Sequence, residues 1–164
     1  MKKILFVCHG NICRSPMAEF ILKKLISEND SLQNKIYVES AATSSEEIGN
    51  PVYPPAKSEL KKHNIDCSGK TARKIKKADY DDFDMLIGMD EENISYLFRF
   101  FDNDKSNKIF KMMQFDKRIG VKELGDAPNV ADPWYTRDFG RTYDDIYRGI
   151  EGLIEYIKKT MTEK

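Results

Sequence analysis

The segment Cys8-His9-Gly10-Asn11-Ile12-Cys13-Arg14-Ser15 sets a cysteine, five residues, an arginine and a serine at the end of a short apolar run. A phosphate monoester carries about two negative charges at neutral pH, so a site for it must supply positive potential and many hydrogen-bond donors. A loop that curls between a strand end and a helix start turns successive backbone N–H groups inward. Gly10 is expected to allow a backbone turn that a side chain would block. Arg14 would close the ring with a planar fork that matches two phosphate oxygens. Cys8, at the base of the ring, lies in the same positive field, which favours the thiolate. A thiolate held beneath phosphorus is an in-line nucleophile. His9, Gly10, Asn11, Ile12, Cys13 and Ser15 would then surround the bound phosphate. The Ser15 hydroxyl has a further task, donating to the Cys8 sulfur when that sulfur becomes the leaving group. Cys13 is placed to form a reversible disulfide with Cys8 and so protect it from over-oxidation.

A nucleophile on phosphorus needs an acid for the departing oxygen. A phenolate, whose conjugate acid has a pKa of about 10, leaves far better once protonated. Asp132, in Ala131-Asp132-Pro133-Trp134-Tyr135, is the expected acid. Pro133 biases Asp132 towards an extended conformation. Trp134 and Tyr135 could wall a slot deep enough for an aromatic ring. Asp126, in the same polar stretch, is the rival.

These residues need a scaffold. Lys3 to Cys8 is a β-rich run without alternation, as expected for a strand buried on both faces of a parallel sheet. Ser15-Pro16 starts a helix, with Met17, Phe20, Ile21, Leu22, Leu25 and Ile26 as its apolar stripe. Ile36 to Ala41 is a second strand, followed by a polar loop from Ala42 to Pro55 and a short helix from Ala56 to His63. Phe83 to Gly88 is a third strand. Asp90 is expected to cap a helix running to about Phe101. Ile109 to Phe115 is a fourth strand. Gly120 to Tyr143 is expected to be mostly irregular. Tyr143 to Met161 closes the chain as a helix whose inner face carries Ile146, Ile150, Leu153, Ile154 and Ile157. Strands alternating with helices imply a doubly wound α/β domain, with ligands beyond the carboxyl ends of the strands.

The 164 residues suit one domain spanning 1–164. Lys plus Arg and Asp plus Glu are balanced at 27 each, which argues against nucleic acid or a membrane surface as the main partner. The early apolar run is too short for a secretory segment. Three cysteines are too few for a disulfide scaffold and lack metal-site spacing, so a reducing cytoplasmic setting is expected.

On Val7 to Pro16, Ser40, Met89-Asp90-Glu91 and Asp132-Pro133 with its two following aromatics, the chain resembles the low-molecular-weight protein tyrosine phosphatases over nearly its full length. The resemblance implies a four-stranded parallel sheet with helices on both faces and the phosphate-binding loop after the first strand. It implies hydrolysis of phosphotyrosine on tyrosine-phosphorylated proteins through a phosphocysteine intermediate, with no metal and no cofactor. By that match Cys8 is the nucleophile, Arg14 the transition-state clamp and Asp132 the general acid. Asn11, Ser15 and Ser40 would hold the loop in shape. Lys70 stands near a position where many members carry a histidine of the loop network. Ala42 to Gly49 lacks the aromatic wall that eukaryotic members place near Glu46. Protein-arginine phosphatases share the pattern but have threonine at the Ile12 position. Thiol-dependent arsenate reductases share the loop but need later cysteines, and only Cys67 lies outside it. A non-catalytic anion-binding or redox-sensing module is the reading from another class.

Overall fold

The computed structural model describes residues 1–120 and 123–162. Four strands, β1 (Lys2–Cys8), β2 (Ile36–Ala42), β3 (Met85–Gly88) and β4 (Ile109–Lys111), form one parallel sheet in the order β2-β1-β3-β4. The helices are α1 (Arg14–Ser27), α2 (Pro54–Lys62), α3 (Asp79–Asp82), α4 (Glu91–Phe100), α5 (Pro133–Thr136) and α6 (Phe139–Thr162). β1 pairs along its whole length with β2, Lys2 opposite Ile36 and Cys8 opposite Ala42, and on its other edge with β3. Hydrogen-bonded on both edges and covered on both faces, β1 has no polar side, which is why Ile4 to Val7 are all fully buried. Burial of each of these four side chains contributes roughly 1.5–3 kcal/mol.

The pleat sorts β1 into two cores. Ile4, Phe6 and Cys8 face a cluster with Met17 and Ile21 of α1, Leu60 of α2, and Ile146 and Ile150 of α6. Leu5 and Val7 face the other cluster, with Phe83 and with Ile94 and Leu97 of α4. Helices therefore cover both faces. From β1 the chain crosses to β2 on one side and later returns to β3 on the other. The carboxyl end of β1 thus opens into the crevice where the strand order reverses, and residues 9–13 occupy it.

Two expectations are corrected. β4 stops at Lys111, and Met112–Phe115 form a 3-10 turn instead of extending the strand. The turn lays Phe115 backbone against α6 so tightly that a Cβ on Gly152 would sit 1.7 Å from the Phe115 carbonyl oxygen. The stretch from Gly120 to Tyr143 is less irregular than expected, leaving aside positions 121 and 122, which lie outside the described residues. It contains a 3-10 turn at Leu124–Asp126 and the one-turn helix α5, and α6 begins at Phe139 rather than Tyr143. Asp138 allows that earlier start, its carboxylate accepting the Arg141 backbone N–H at 3.0 Å. Phe139 and Tyr143 then join Ile146, Ile150, Leu153 and Ile157 on the buried stripe, while Ile154 is only partly buried. Among the described residues, no helix is long and apolar enough to cross a membrane.

Candidate active site

Cys8 ends β1 and is buried. Three groups converge on its Sγ: the Ser15 Oγ at 3.0 Å, the Asn11 backbone N–H at 3.3 Å and the Ser15 backbone N–H at 3.4 Å. Ser15 Oγ already accepts from Asn11 Nδ2 at 2.8 Å, which leaves its own proton for the sulfur. A sulfur surrounded by donors is set up as an acceptor, the arrangement that suits a thiolate. α1 starts at Arg14 without a capping side chain. Of its first-turn N–H groups, that of Ser15 is turned to Cys8 Sγ and that of Met17 to the Cys13 carbonyl, while Pro16 has none, so the positive end of α1 is aimed at the sulfur.

The turn in the loop is made at Asn11, not at Gly10. Asn11 has a φ of 59°, in the left-handed region, whereas Gly10 is not among the positive-φ residues. Asparagine tolerates this region better than most residues. Its side chain is also fully engaged: Nδ2 donates to Ser15 Oγ and to Ser40 Oγ (2.9 Å), and Oδ1 accepts the Arg73 backbone N–H (3.2 Å). A Cβ at Gly10 would make only ordinary contact with Glu47 Cγ at 3.4 Å, so the expected need for glycine there is not met by the space around it.

The network continues inward. Ser40 Oγ donates to Glu19 Oε1 at 2.6 Å, and Lys70 Nζ lies 3.2 Å from the same oxygen while donating to the Ser40 carbonyl at 2.9 Å. Lys23 pairs with the other Glu19 oxygen. A buried carboxylate requires such partners. Lys70 thus joins the network around the loop. Glu19, legible in the sequence only as a helix residue, is its hub.

Arg14 is buried at 2% exposure. Its Nη1 donates to Asp90 Oδ2 (2.8 Å) and to the Val130 carbonyl (2.9 Å), and Nη2 lies 3.5 Å from Asp132 Oδ2. Burial opposes the guanidinium charge, but Cys8, Asp90 and Asp132 outweigh it and raise the Arg14 pKa above its ordinary value. With both Nη1 hydrogens engaged, Nε and Nη2 remain for an anion.

Cys8, His9, Gly10, Ile12, Cys13 and Arg14 line a cavity of about 250 Å³ together with Asp132, Trp134 and Tyr135. Asn11 and Ser15 do not line it, because their side chains turn into the network beneath. Ser40 also lies in that buried layer. Trp134 and Tyr135 are the exposed walls, at 47% and 82%. Glu46 and Glu47 line the cavity where an aromatic wall is absent, and Glu46 pairs with His9 at 3.1 Å. Asp126 is exposed and does not line the cavity. Asp132 both caps α5, accepting the Trp134 N–H on Oδ1 at 3.0 Å, and turns Oδ2 towards Arg14. The Cys13 thiol is pushed up to about 12, first by burial and then by Cys8 and Asp132, against the opposing pull of Arg14 and Arg137. Of the basic run from Lys57 to Lys77, Lys70 and Arg73 are drawn into the network, while Lys57, Lys61, Lys62, Lys74, Lys76 and Lys77 stay exposed.

A doubly wound sheet whose first strand ends in a donor-lined loop over a buried cysteine, with an arginine at the helix start, defines a protein built to handle phosphate. Residues 3–163 match the model of the family described as low molecular weight phosphotyrosine protein phosphatase. The chain is 39% identical over 160 residues to the Bacillus subtilis low molecular weight protein-tyrosine-phosphatase YfkJ, covering 97% of each chain. It is 36% identical to the Gallus gallus low molecular weight phosphotyrosine protein phosphatase, with 94% of this chain and 95% of that one covered. The crystal structure of YfkJ superposes with a TM-score of 0.88 over 98% of this chain and 96% of that one. The Drosophila arginine phosphatase also superposes, with a TM-score of 0.82 at 32% identity over 96% and 98% of the two chains. The chain belongs to the low molecular weight phosphotyrosine protein phosphatase family. Its class is that of the protein-tyrosine phosphatases, hydrolases of phosphate monoesters.

Proposed function

We propose that this chain, as one domain over residues 1–164, hydrolyses phosphotyrosine in cytoplasmic proteins through a phosphoenzyme on Cys8. The observation that carries this reading is the convergence of Ser15 Oγ and two backbone N–H groups on Cys8 Sγ, with Arg14 and Asp132 on the same cavity. The Cys8 thiolate attacks phosphorus from the loop side. The S–P bond forms as the P–O bond to the phenol breaks, and Asp132 gives its proton to the departing oxygen. Arg14 follows the equatorial oxygens as charge spreads over them. The contact between Arg14 Nη2 and Asp132 is longer than that between Nη1 and Asp90, 3.5 against 2.8 Å, so a phosphoryl oxygen displaces Asp132 before Asp90. In the second half, Asp132 takes a proton from water as it attacks phosphorus. The S–P bond breaks, Ser15 stabilises the returning thiolate, and phosphate leaves.

Backbone N–H groups and Arg14 provide the positive field, so the reaction as written uses no metal and no cofactor. A thiolate nucleophile works in a reducing compartment, in keeping with a cytoplasmic place. Balanced charge fits protein substrates rather than nucleic acid or membrane. Ile12 lines the cavity without a hydroxyl, which favours phosphotyrosine over phosphoarginine. The test measures hydrolysis of phosphotyrosine peptides, an aryl phosphate and phosphoarginine side by side with a chelator present. Turnover of the first two, undiminished by chelator and well above that of phosphoarginine, is expected. A preference for phosphoarginine, or loss of activity on chelation, would overturn the reading.

A further inference from the structure

Arg137 follows α5 and holds a φ of 61° and ψ of 15°, a left-handed conformation that disfavours a residue with a Cβ. Its guanidinium carbon lies 5.4 Å from the ring centre of Tyr53, 5.9 Å from that of Trp134 and 5.5 Å from that of Phe139. Its Nη2 donates to the Tyr53 hydroxyl at 3.1 Å. The Tyr53 ring in turn packs on Trp134, 4.9 Å between centres, and on Phe139 at 6.1 Å. A cation among three aromatic faces is attracted to each of them.

Tyr53 has a second attachment that gives this cluster a purpose. Its backbone N–H donates to the Ile12 carbonyl at 2.9 Å, inside the phosphate loop. Trp134, on the other side of the cluster, donates its backbone N–H to Asp132 Oδ1. The contacts therefore run without a break from Ile12 through Tyr53 and the Arg137–Trp134 pair to Asp132. α5 is a single turn of four residues, and so short a helix does not fix its own position.

We propose that Arg137 is a positioning residue that clasps the Asp132 segment to Tyr53, and through Tyr53 registers the general acid against the phosphate loop. This rests on Asp132 being the acid. Arg137 does not line the cavity over Cys8, and it acts through where it holds Asp132. A displaced acid slows expulsion of a poor leaving group and leaves thiolate attack and phosphate binding intact.

The test uses Arg137→Gly, because glycine accepts the left-handed backbone while removing the clasp. kcat/KM, which reports the steps up to release of the phenol and not hydrolysis of the common phosphoenzyme, is measured across aryl phosphates of graded leaving-group pKa, beside Asp132→Asn and wild type. The expected result is a loss in kcat/KM on the order of tenfold for phosphotyrosine, several times smaller for nitrophenyl phosphate, with inhibition by inorganic phosphate nearly unchanged. Arg137→Lys should recover part of the loss, keeping the cation but not the bond to Tyr53. Tyr53→Phe should cost less than Arg137→Gly, and the double variant should be no worse than Arg137→Gly alone. A wild-type slope in Arg137→Gly beside a steepened slope in Asp132→Asn would overturn the clasp and leave the acid standing. A wild-type slope in Asp132→Asn would overturn the acid itself. A loss in kcat/KM that is equal for all leaving groups would make Arg137 a support for the Trp134 wall and overturn the proposal.

Discussion

Asp90 binds Arg14 and caps a helix with the same carboxylate: Oδ2 accepts from Arg14 Nη1 at 2.8 Å, and Oδ1 accepts the Asn93 backbone N–H at 2.9 Å. α4 packs on one face of the sheet, whereas α1, which starts at Arg14, packs on the other. The carboxylate thus joins the phosphate loop to an element across the sheet.

Separating these two tasks is straightforward, because asparagine is as good a helix cap as aspartate. Asp90→Asn should keep the cap, and with it the folded structure, but lose the charged partner of Arg14. We expect kcat to fall by about tenfold or more while the unfolding midpoint changes little. Unfolding and kinetics on the same preparation check this. An unchanged kcat would show that the Val130 carbonyl alone orients Arg14.

Arg14→Lys should be severely impaired in kcat as well as in binding, since an ammonium cannot grip two oxygens in a plane. Steady-state kinetics on an aryl phosphate will decide. Near-normal kcat in this variant would reduce Arg14 to a structural cation.

The buried Glu19 network should be visible as stability. Lys70→Met removes one cation from Glu19 and leaves Lys23 on the other oxygen. The expected cost is about 1–3 kcal/mol in urea unfolding, with a lower kcat because the Ser40 carbonyl loses its Lys70 donor and Ser40 holds Asn11 of the loop. Stability and activity both equal to wild type would show that Ser40 is held without Lys70.

Peroxide should inactivate the enzyme reversibly by joining Cys8 to Cys13. Cys13 is the expected attacking thiol; the Cys8 charge that helps raise its pKa is lost once Cys8 is oxidised, but burial and Asp132 still push it up. Raising the pH increases its thiolate fraction, so closure, measured after Cys8 has been oxidised, should accelerate with pH. Cys13→Ser should make the damage less reversible. Peptide mass spectrometry distinguishes a Cys8–Cys13 link from a Cys8–Cys67 link, and the latter, or no link, would refute the pairing.

Loss of the acid should matter most for poor leaving groups. Asp132→Asn should slow phosphotyrosine far more than nitrophenyl phosphate, steepening the plot of log rate against leaving-group pKa. Asp126→Asn, exposed and off the cavity, should run parallel to wild type. The reverse pattern would move the role to Asp126.

The sequence made the scaffold legible where burial writes a plain pattern. The unbroken apolar run of β1 and the stripe of α6 leave few alternatives. The Cys8–Arg14 loop was legible because its chemistry needs particular residues at fixed spacing. What stayed hidden depends on contacts between distant segments. Nothing local to Glu19 or Tyr53 says that they meet the loop, and Lys70 is marked only by the family resemblance, since those meetings follow from how α1, α2 and the 64–74 segment pack. The turn falls at Asn11 rather than Gly10 for a related reason. Gly10 is permissive, but Asn11 has side-chain partners at Ser15, Ser40 and Arg73 that stabilise the left-handed backbone, and two of those three lie far along the chain.

In the proposed reaction the phosphoryl group passes through the Cys8 sulfur. Rapid quenching of Asp132→Asn with nitrophenyl phosphate, followed by peptide mass spectrometry under conditions that preserve S–P bonds, tests it most directly. Without Asp132 to activate water, the phosphoenzyme should accumulate. One phosphoryl group on the Cys8 peptide, in an amount equal to the nitrophenolate burst and absent from Cys8→Ser, is the expected result. A burst with no phosphoryl group on Cys8, a phosphoryl group on another residue, or steady turnover by Cys8→Ser would contradict it.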